Sequence, residues 1–400
     1  MKYLFSLTFC IVLLVNIGIA QLPFKYDSLY KTIYAKDLCK LAQKNPNLLL
    51  IDVRSPGEYS DTSQYTSLNL GHLKGAINIE IAAMQKDIST IDKYKERTIV
   101  FYCSHSQRSR RVSKFLSEKG YTNFYNLNGG MSVLTQLSEA DFPCRKEWIE
   151  SSLPYKNLSF IETASFIKKG NSIIIDVRPS AQFNSVDTNA ENNVGRIKRA
   201  INIPYADFKQ RINELNKYKQ QPIFIYTASG DGDAARAAVD LTAAGFLTVY
   251  QLLGGINDFI ASQEDISIIV NKTAYTLVDA AKTLALLKNN KDIIIYDTRA
   301  NDNFNNKVTG RMSFMNLGHI KNAVHVEEAA FQSNALPANK NAVILIYGNQ
   351  ESLKYATQLC TQGYKKVYLL ASLYDFVWSG FNIEADKENG QFLIDHDALY

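Results

Sequence analysis

The sequence predicts an α/β protein of three tandem domains, each a mainly parallel β-sheet flanked by helices on both faces. Three observations predict it. First, an apolar strand ending in Asp-x-Arg occurs three times, as Leu48 to Arg54, Ser172 to Arg178 and Ile293 to Arg299, at intervals of 124 and 121 residues. Second, these runs and those ending in Phe101-Tyr102, Ile225-Tyr226 and Ile346-Tyr347 are continuously apolar, as strands buried on both faces are. Third, stretches of helical period alternate with them, an order that calls for a parallel sheet. So long a repeat exceeds any solenoid unit, and each copy must hold its own core.

At the amino end Lys2 precedes an apolar run from Leu4 to Ile19, and Gly18-Ile19-Ala20 offers a small-residue cleavage site. This pattern predicts a signal peptide over residues 1–20, cut after Ala20, and a secreted or periplasmic product. An uncleaved anchor is the other reading, since the run is only slightly short of a membrane span. No later stretch is apolar enough to span a membrane. The domains are expected at 28–148, 154–265 and 272–385, with linkers near Pro143–Pro154 and Ser262–Lys272 and a polar tail over 386–400. The first helices are expected at Ala35–Gln43, Ile161–Lys168 and Leu277–Leu287. Two further markers recur in fixed order. One runs Gly71-His-Leu-Lys-Gly-Ala-Ile-Asn78, Gly195 to Asn202 and Gly318 to His325. The other is a Gly-aromatic helix stop followed by a strand, at Gly120-Tyr121, Gly245-Phe246 and Gly363-Tyr364.

Composition bounds the chemistry. The chain of 400 residues is 46% hydrophobic and 21% charged, with a formal charge of +5, as ordinary globular proteins are. No Lys/Arg-rich block or basic stripe with interleaved aromatics is present, so nucleic acid is not an expected partner. After cleavage four cysteines remain, Cys39, Cys103, Cys144 and Cys360. They show no CxxC pair and no metal-ligand spacing with histidine, so no metal or cofactor is expected. A secreted chain can pair some of them; the sequence does not decide which, and Cys39 with Cys144 is one choice.

The chemistry-bearing stretch is Thr98 to Ser109. A buried strand delivers Cys103 to its carboxyl end, where sites sit in parallel sheets. A polar loop then leads into a helix with Val112, Phe115 and Leu116 on one face and Gly120 as its stop. This geometry is expected to expose Cys103 at a strand tip and to aim loop N–H groups and a helix start at its sulfur. Arg108 adds positive charge suited to an anionic substrate, while Arg110 and Arg111 read as solvated helix residues.

The copies act as an internal control. Fifty-one positions after Asp52 stands Cys103, but the same step from Asp176 reaches Thr227 and from Asp297 reaches Gly348. The second loop carries Asp231 and Asp233 where the first carries arginine, and the third has no nucleophile. Residues kept in all copies therefore read as fold support: Asp52 through an Asx turn, Arg54 by tying loops down, and His72, which recurs as His319. Those peculiar to the first copy are the functional set: Cys103, Ser104, Ser106, Arg108, Ser109 and Glu58, which becomes Gln182 and Asn303. The plainer reading of Glu58 is an ion pair with Arg54.

The Ile-Asp-Val-Arg strand, the Gly-His-x-x-Gly-Ala-x-Asn turn, the Cys-x4-Arg-Ser loop and the Gly129-Gly130 strand end resemble the rhodanese domain. The resemblance covers nearly all of residues 28–385. It implies sulfur transfer through a Cys103 persulfide, with Ser104, His105, Ser106, Gln107, Arg108 and Ser109 forming the substrate loop. It also implies a small anionic donor such as thiosulfate and a thiophilic acceptor such as cyanide, a thiol or a thioredoxin-like protein. Many members have a cation just after the cysteine and a glycine two positions later; here those places hold Ser104 and Ser106. Related phosphatase and arsenate-reductase loops place five residues between cysteine and arginine, whereas four stand here, a smaller ring that suits one sulfur atom. The first expectation is thus an exported sulfurtransferase with one working domain, and the second an inert binding or scaffold protein.

Overall fold

The computed structural model describes residues 29–229, 232–310, 315–326, 336–379 and 393–394. The expected signal peptide over residues 1–20 lies outside them, as does most of the tail.

The first domain runs β1 (Lys31–Ile33), α1 (Ala35–Lys44), β2 (Leu49–Asp52), α2 (Pro56–Tyr59), β3 (His72–Leu73), β4 (Ile77–Asn78), α3 (Ile81–Lys86), α4 (Ser89–Asp92), β5 (Ile99–Tyr102), α5 (Gln107–Glu118), β6 (Phe124–Leu127) and α6 (Gly130–Leu134). Its main sheet has the order β1-β6-β5-β2-β4, with every pair parallel. The second and third domains repeat that order with their own strands. Strand residues alternate between two cores. Leu50, Val100, Tyr102 and Leu127 pack with Leu38 of α1, whereas Ile51, Phe101 and Cys103 pack with Val112 and Leu116 of α5.

Three differences from the sequence expectations concern short, long-range elements. The expected linkers are structured: Arg145–Trp148 is a helical turn, Ile149–Glu150 is a strand antiparallel to β3, and Ile269–Val270 pairs in the same way with Arg196–Ile197. Within the tail, Leu393–Ile394 does so with His319–Ile320. Each domain is therefore closed by a strand that follows it, which two apolar residues cannot announce in sequence. The third first helix begins at Ala280, not Leu277, because Thr276–Val278 is an edge strand and Asp279 caps the helix through the Lys282 N–H at 2.8 Å. The other two run Ala35–Lys44 and Phe160–Lys168.

Cys39 of α1 and Cys144 form a disulfide that closes 105 residues of chain. It fastens α1 to the segment that leads into the closing strand. Its loss should destabilise the first domain by about 2–4 kcal/mol. A dithiothreitol-induced fall in that domain's thermal midpoint, absent from the Cys39→Ala, Cys144→Ala protein, is the expected reading.

Candidate active site

Each Asp-x-Arg repeat is one buried device. Arg54 donates from its own N–H to Asp52 Oδ1 at 2.9 Å, the Asx turn, and its guanidinium returns to the same carboxylate at 2.7–3.0 Å. The free edge of the guanidinium donates to the Gly71 carbonyl at 2.6 Å, pinning the Gly-His turn to the end of β2. Arg178 and Arg299 repeat this on Asp176 and Asp297, donating to Gly195 and Gly318. The tyrosine that precedes the nucleophile position completes the frame. The hydroxyls of Tyr102, Tyr226 and Tyr347 accept from the N–H of Leu73, Ile197 and Ile320 at 3.1, 3.2 and 3.0 Å. His72 stacks on Tyr59 with ring centroids 4.3 Å apart, and His319 stacks likewise on Phe304. His72 also lies 3.8 Å from the Glu150 carboxylate of the closing strand.

Cys103 departs from the expectation of an exposed tip: it is a free thiol, 1% exposed. The strand register is the reason. Alternation from Phe101 turns its side chain toward α5, into the core that holds Val53, Met84 and Val112. Ser109, in the first turn of α5, donates its hydroxyl to Sγ at 3.6 Å, so the helix start abuts the sulfur. The first N–H groups of a helix have no acceptor within it. Among the described residues no backbone N–H donates to Sγ itself; the hydroxyl of Ser109 does.

The loop is held from both sides. Gly129 and Gly130 adopt φ of +78° and +58°, and a Cβ on Gly130 would lie 2.2 Å from the Cys103 carbonyl oxygen. That approach lets Met131 and Ser132 donate their N–H groups to the carbonyls of Cys103 and Ser104 at 2.9 and 3.0 Å. Gly255 does the same for the second domain, where Ile256 and Asn257 donate to Thr227 and Ala228. Ser106 occupies the glycine place of the resembling loops and has the backbone that place needs, φ +70°. Its hydroxyl accepts from the Gly129 N–H at 2.5 Å. A left-handed serine costs about 1–2 kcal/mol, which the buried hydrogen bond offsets. Ser106→Ala should therefore lose about 2 kcal/mol and Ser106→Gly under about 1 kcal/mol, a ranking that denaturant titration would read.

Two arginines differ from their sequence reading. Glu58 pairs not with Arg54, whose guanidinium is saturated by Asp52 and by carbonyls, but with Arg108 across the loop, through two bonds of 2.6 Å. Arg108 also donates to Ser104 Oγ at 2.9 Å. Where the second and third copies lose the glutamate, Gly232 and Leu353 stand at the arginine position, so the two charges vanish together. Burial raises the Glu58 carboxyl, but the Arg108 hydrogen bond and charge outweigh it and leave it below its ordinary value. Glu58, in turn, holds the Arg108 guanidinium above its own. Glu58 also closes a capping box with Ser55, a Ser-x-x-Glu signal legible in the sequence. Arg110 is not solvated. It is 8% exposed and donates to Asn128 Oδ1, which Ser106 Oγ also approaches at 3.4 Å. Asn128 carries no sequence signal of its own beyond its place directly before the glycine pair. Of the remaining loop residues, Gln107 is half-buried at the helix start, and His105 is exposed with Nε2 2.8 Å from Ser132 Oγ.

The loops that lack cysteine have another use. Gly232 packs so closely on the Thr66–Leu68 turn of the first domain that a Cβ there would meet Thr66 Oγ1 at 2.2 Å. Gln350 of the third loop reaches Glu191 in the equivalent turn of the second domain at 3.4 Å. Each loop without a nucleophile docks on the domain before it.

Comparison with known proteins agrees with this architecture. The family model described as Rhodanese-like domain matches residues 35–136, 161–262 and 279–374. The thiosulfate:glutathione sulfurtransferase of Saccharomyces cerevisiae is 28% identical over 100 residues, covering 24% of this chain and 72% of that protein. The thiosulfate sulfurtransferase GlpE of Coxiella burnetii is 28% identical over 105 residues, covering 26% and 87%. The tRNA uridine(34) hydroxylase of Buchnera aphidicola is 27% identical over 101 residues, covering 24% of this chain and 29% of its own, so the chain spans under a third of that relative. With all three of its units matched, the chain belongs to the rhodanese-like domain family.

Proposed function

We propose that the protein is an exported sulfurtransferase in which the first domain alone works, through a persulfide on Cys103. The observation that carries the reading is the free sulfur at the end of the central strand, met by Ser109 and the start of α5, on a loop tied down by Gly130 and roofed by the Glu58–Arg108 pair. In the first half-reaction the Cys103 thiolate attacks the outer sulfur of a donor such as thiosulfate. The donor S–S bond breaks, and sulfite leaves with the bonding pair. In the second, an acceptor thiolate attacks the outer sulfur of the persulfide, takes it, and returns Cys103 as thiolate. Burial of the sulfur shields the persulfide from water and oxidants between the two steps. Names of relatives that transfer sulfur from thiosulfate support the donor class.

The disulfide supports an oxidising compartment, secreted or periplasmic. Amino-terminal sequencing of the exported protein is expected to begin at Gln21; a product that retains Met1 would refute cleavage. Thiosulfate or polysulfide treatment is expected to add one sulfur atom to the peptide that contains Cys103, and none in Cys103→Ser. The deep burial of Cys103 favours one rival, an inert binding protein, and absence of that mass gain in the intact chain would decide for it.

A further inference from the structure

Among the described residues only the first domain is fastened by a disulfide. The fifth residue of the three first helices is Cys39, Ala164 and Leu284, each of them buried. The second and third domains still pair their closing strands, Ile269–Val270 with Arg196–Ile197 and Leu393–Ile394 with His319–Ile320. Apolar packing at that position therefore suffices to close the fold. The disulfide is an addition peculiar to the copy that carries the nucleophile.

Its place gives it leverage on the frame of the Cys103 loop. Cys39, Leu73 and Tyr102 are buried in one apolar cluster, against which Cys144, Trp148 and Ile149 pack. From Cys144 the chain runs through Trp148, whose carbonyl accepts from the Lys74 N–H at 2.8 Å, into the closing strand on His72–Leu73. Leu73 in turn donates its N–H to the hydroxyl of Tyr102, the residue before Cys103. The neighbour of Cys144 also holds the second domain: Arg145 donates to the two Glu162 carboxylate oxygens at 2.8 and 2.9 Å and to the Thr135 carbonyl at 2.9 Å. Opening the bond releases this whole segment from α1. Cys39 is 8% exposed and Cys144 half-buried, so Cys144 is the half that a thiolate in solution reaches.

We propose that the Cys39–Cys144 disulfide is a redox latch: closed, it holds the frame of the Cys103 loop and sulfur transfer proceeds; opened by a small thiol, it slows transfer. The proposal rests on the transferase reading and adds its regulation, by the class of compound that also accepts the sulfur. A thiolate attacks the Cys144 sulfur, the Cys39–Cys144 bond breaks, and Cys39 leaves with the bonding pair and takes up a proton. A second thiolate attacks the sulfur that the first thiol contributed to the mixed disulfide, and Cys144 leaves in the same way. Two small thiols are oxidised to one disulfide while the cystine is reduced to two thiols. In an oxidising compartment the latch rests closed, and a rise in free thiol opens it.

The test uses the full chain in buffers of reduced and oxidised glutathione at a series of ratios, with thiosulfate as donor and cyanide as acceptor. Sulfite release reads donor turnover whichever acceptor takes the sulfur. Alkylation with iodoacetamide, followed by the masses of the Cys39 and Cys144 peptides, reads the latch independently of activity. Glutathione is expected to open the disulfide in the folded protein, and kcat to fall about tenfold over the same range of ratios. Return to oxidised buffer should restore the rate, which irreversible loss of the fold would not allow. The Cys39→Ala, Cys144→Ala protein places alanine where the second domain has Ala164; it should run at the opened rate and ignore the ratio. The wild-type titration decides the matter even if that variant does not fold. A disulfide that yields to glutathione only in denaturant, or a turnover that does not follow its state, would overturn the latch and leave the transferase reading standing. A wild-type chain that takes up no sulfur at Cys103 in either state would overturn the transferase reading and the control of it together.

Discussion

Asp52→Ala is expected to destabilise the first domain by about 3–5 kcal/mol, the range found when one partner of a buried ion pair is removed. Asp52 and Arg54 are both fully buried. Among the described residues the aspartate is the only charge that meets that guanidinium at hydrogen-bond distance, and without it Arg54 keeps its positive charge in the interior with carbonyls alone. The Gly71 carbonyl bond then holds an uncompensated cation, so the Gly-His turn and the closing strand paired to it should loosen together. The same substitution at Asp176 should act on the second domain with similar force, since Arg178 is equally enclosed. At Asp297 the loss should be smaller, because Arg299 is 8% exposed and water can reach it. Differential scanning calorimetry of the three variants reads the order. An Asp52→Ala chain that melts as the wild type does would show that the pair contributes no net stability and that the tyrosine and glycine contacts alone fix the frame.

These devices are also why so much of the fold is legible in one sequence. Asp-x-Arg, the glycine of the Gly-His turn and the tyrosine before the nucleophile each fix backbone within or between neighbouring strands. Each needs one residue type at one place, and tandem copies expose that need by repeating it. What the sequence hides depends on distance. Glu58 and Arg108 are fifty residues apart, and nothing local says that Arg54 is already saturated. Arg110 looks like any charged helix residue until Asn128 is brought beneath it by the parallel pairing of β5 and β6. The burial of Cys103 follows from strand alternation, which is readable from Phe101, but the packing of α5 over it is not. The two-residue closing strands and the docking of Gly232 and Gln350 on preceding domains involve too few side chains to leave a pattern.

Glu58→Ala is expected to lower sulfur-transfer turnover about a hundredfold while costing stability only about 2 kcal/mol. Glu58 acts at one remove from the sulfur: it positions Arg108, and through Arg108 the Ser104 hydroxyl, over the cysteine loop. Its side chain is 4% exposed and that of Arg108 25%, so the pair is partly wet and its breaking stays below the cost seen in a dry interior. Turnover should suffer more than stability, because a loop displaced by about 1 Å no longer presents the sulfur in line with a donor. A merely structural role is separated by pH. The folded-state value of Glu58 lies below its ordinary 4.5, so the pair is fully formed above that value and is lost as the pH falls through the lowered one. The part of the acid dependence that belongs to the pair should therefore lie below pH 4.5, read as the wild-type-to-Glu58→Gln ratio of turnover on samples that remain folded by circular dichroism. Glu58→Gln keeps the shape and the Ser55 contact but has no proton to take up. It should show reduced turnover at neutral pH and no acid limb of this origin, whereas an acid limb identical to wild type would mean that another group sets it and that Glu58 serves only the fold.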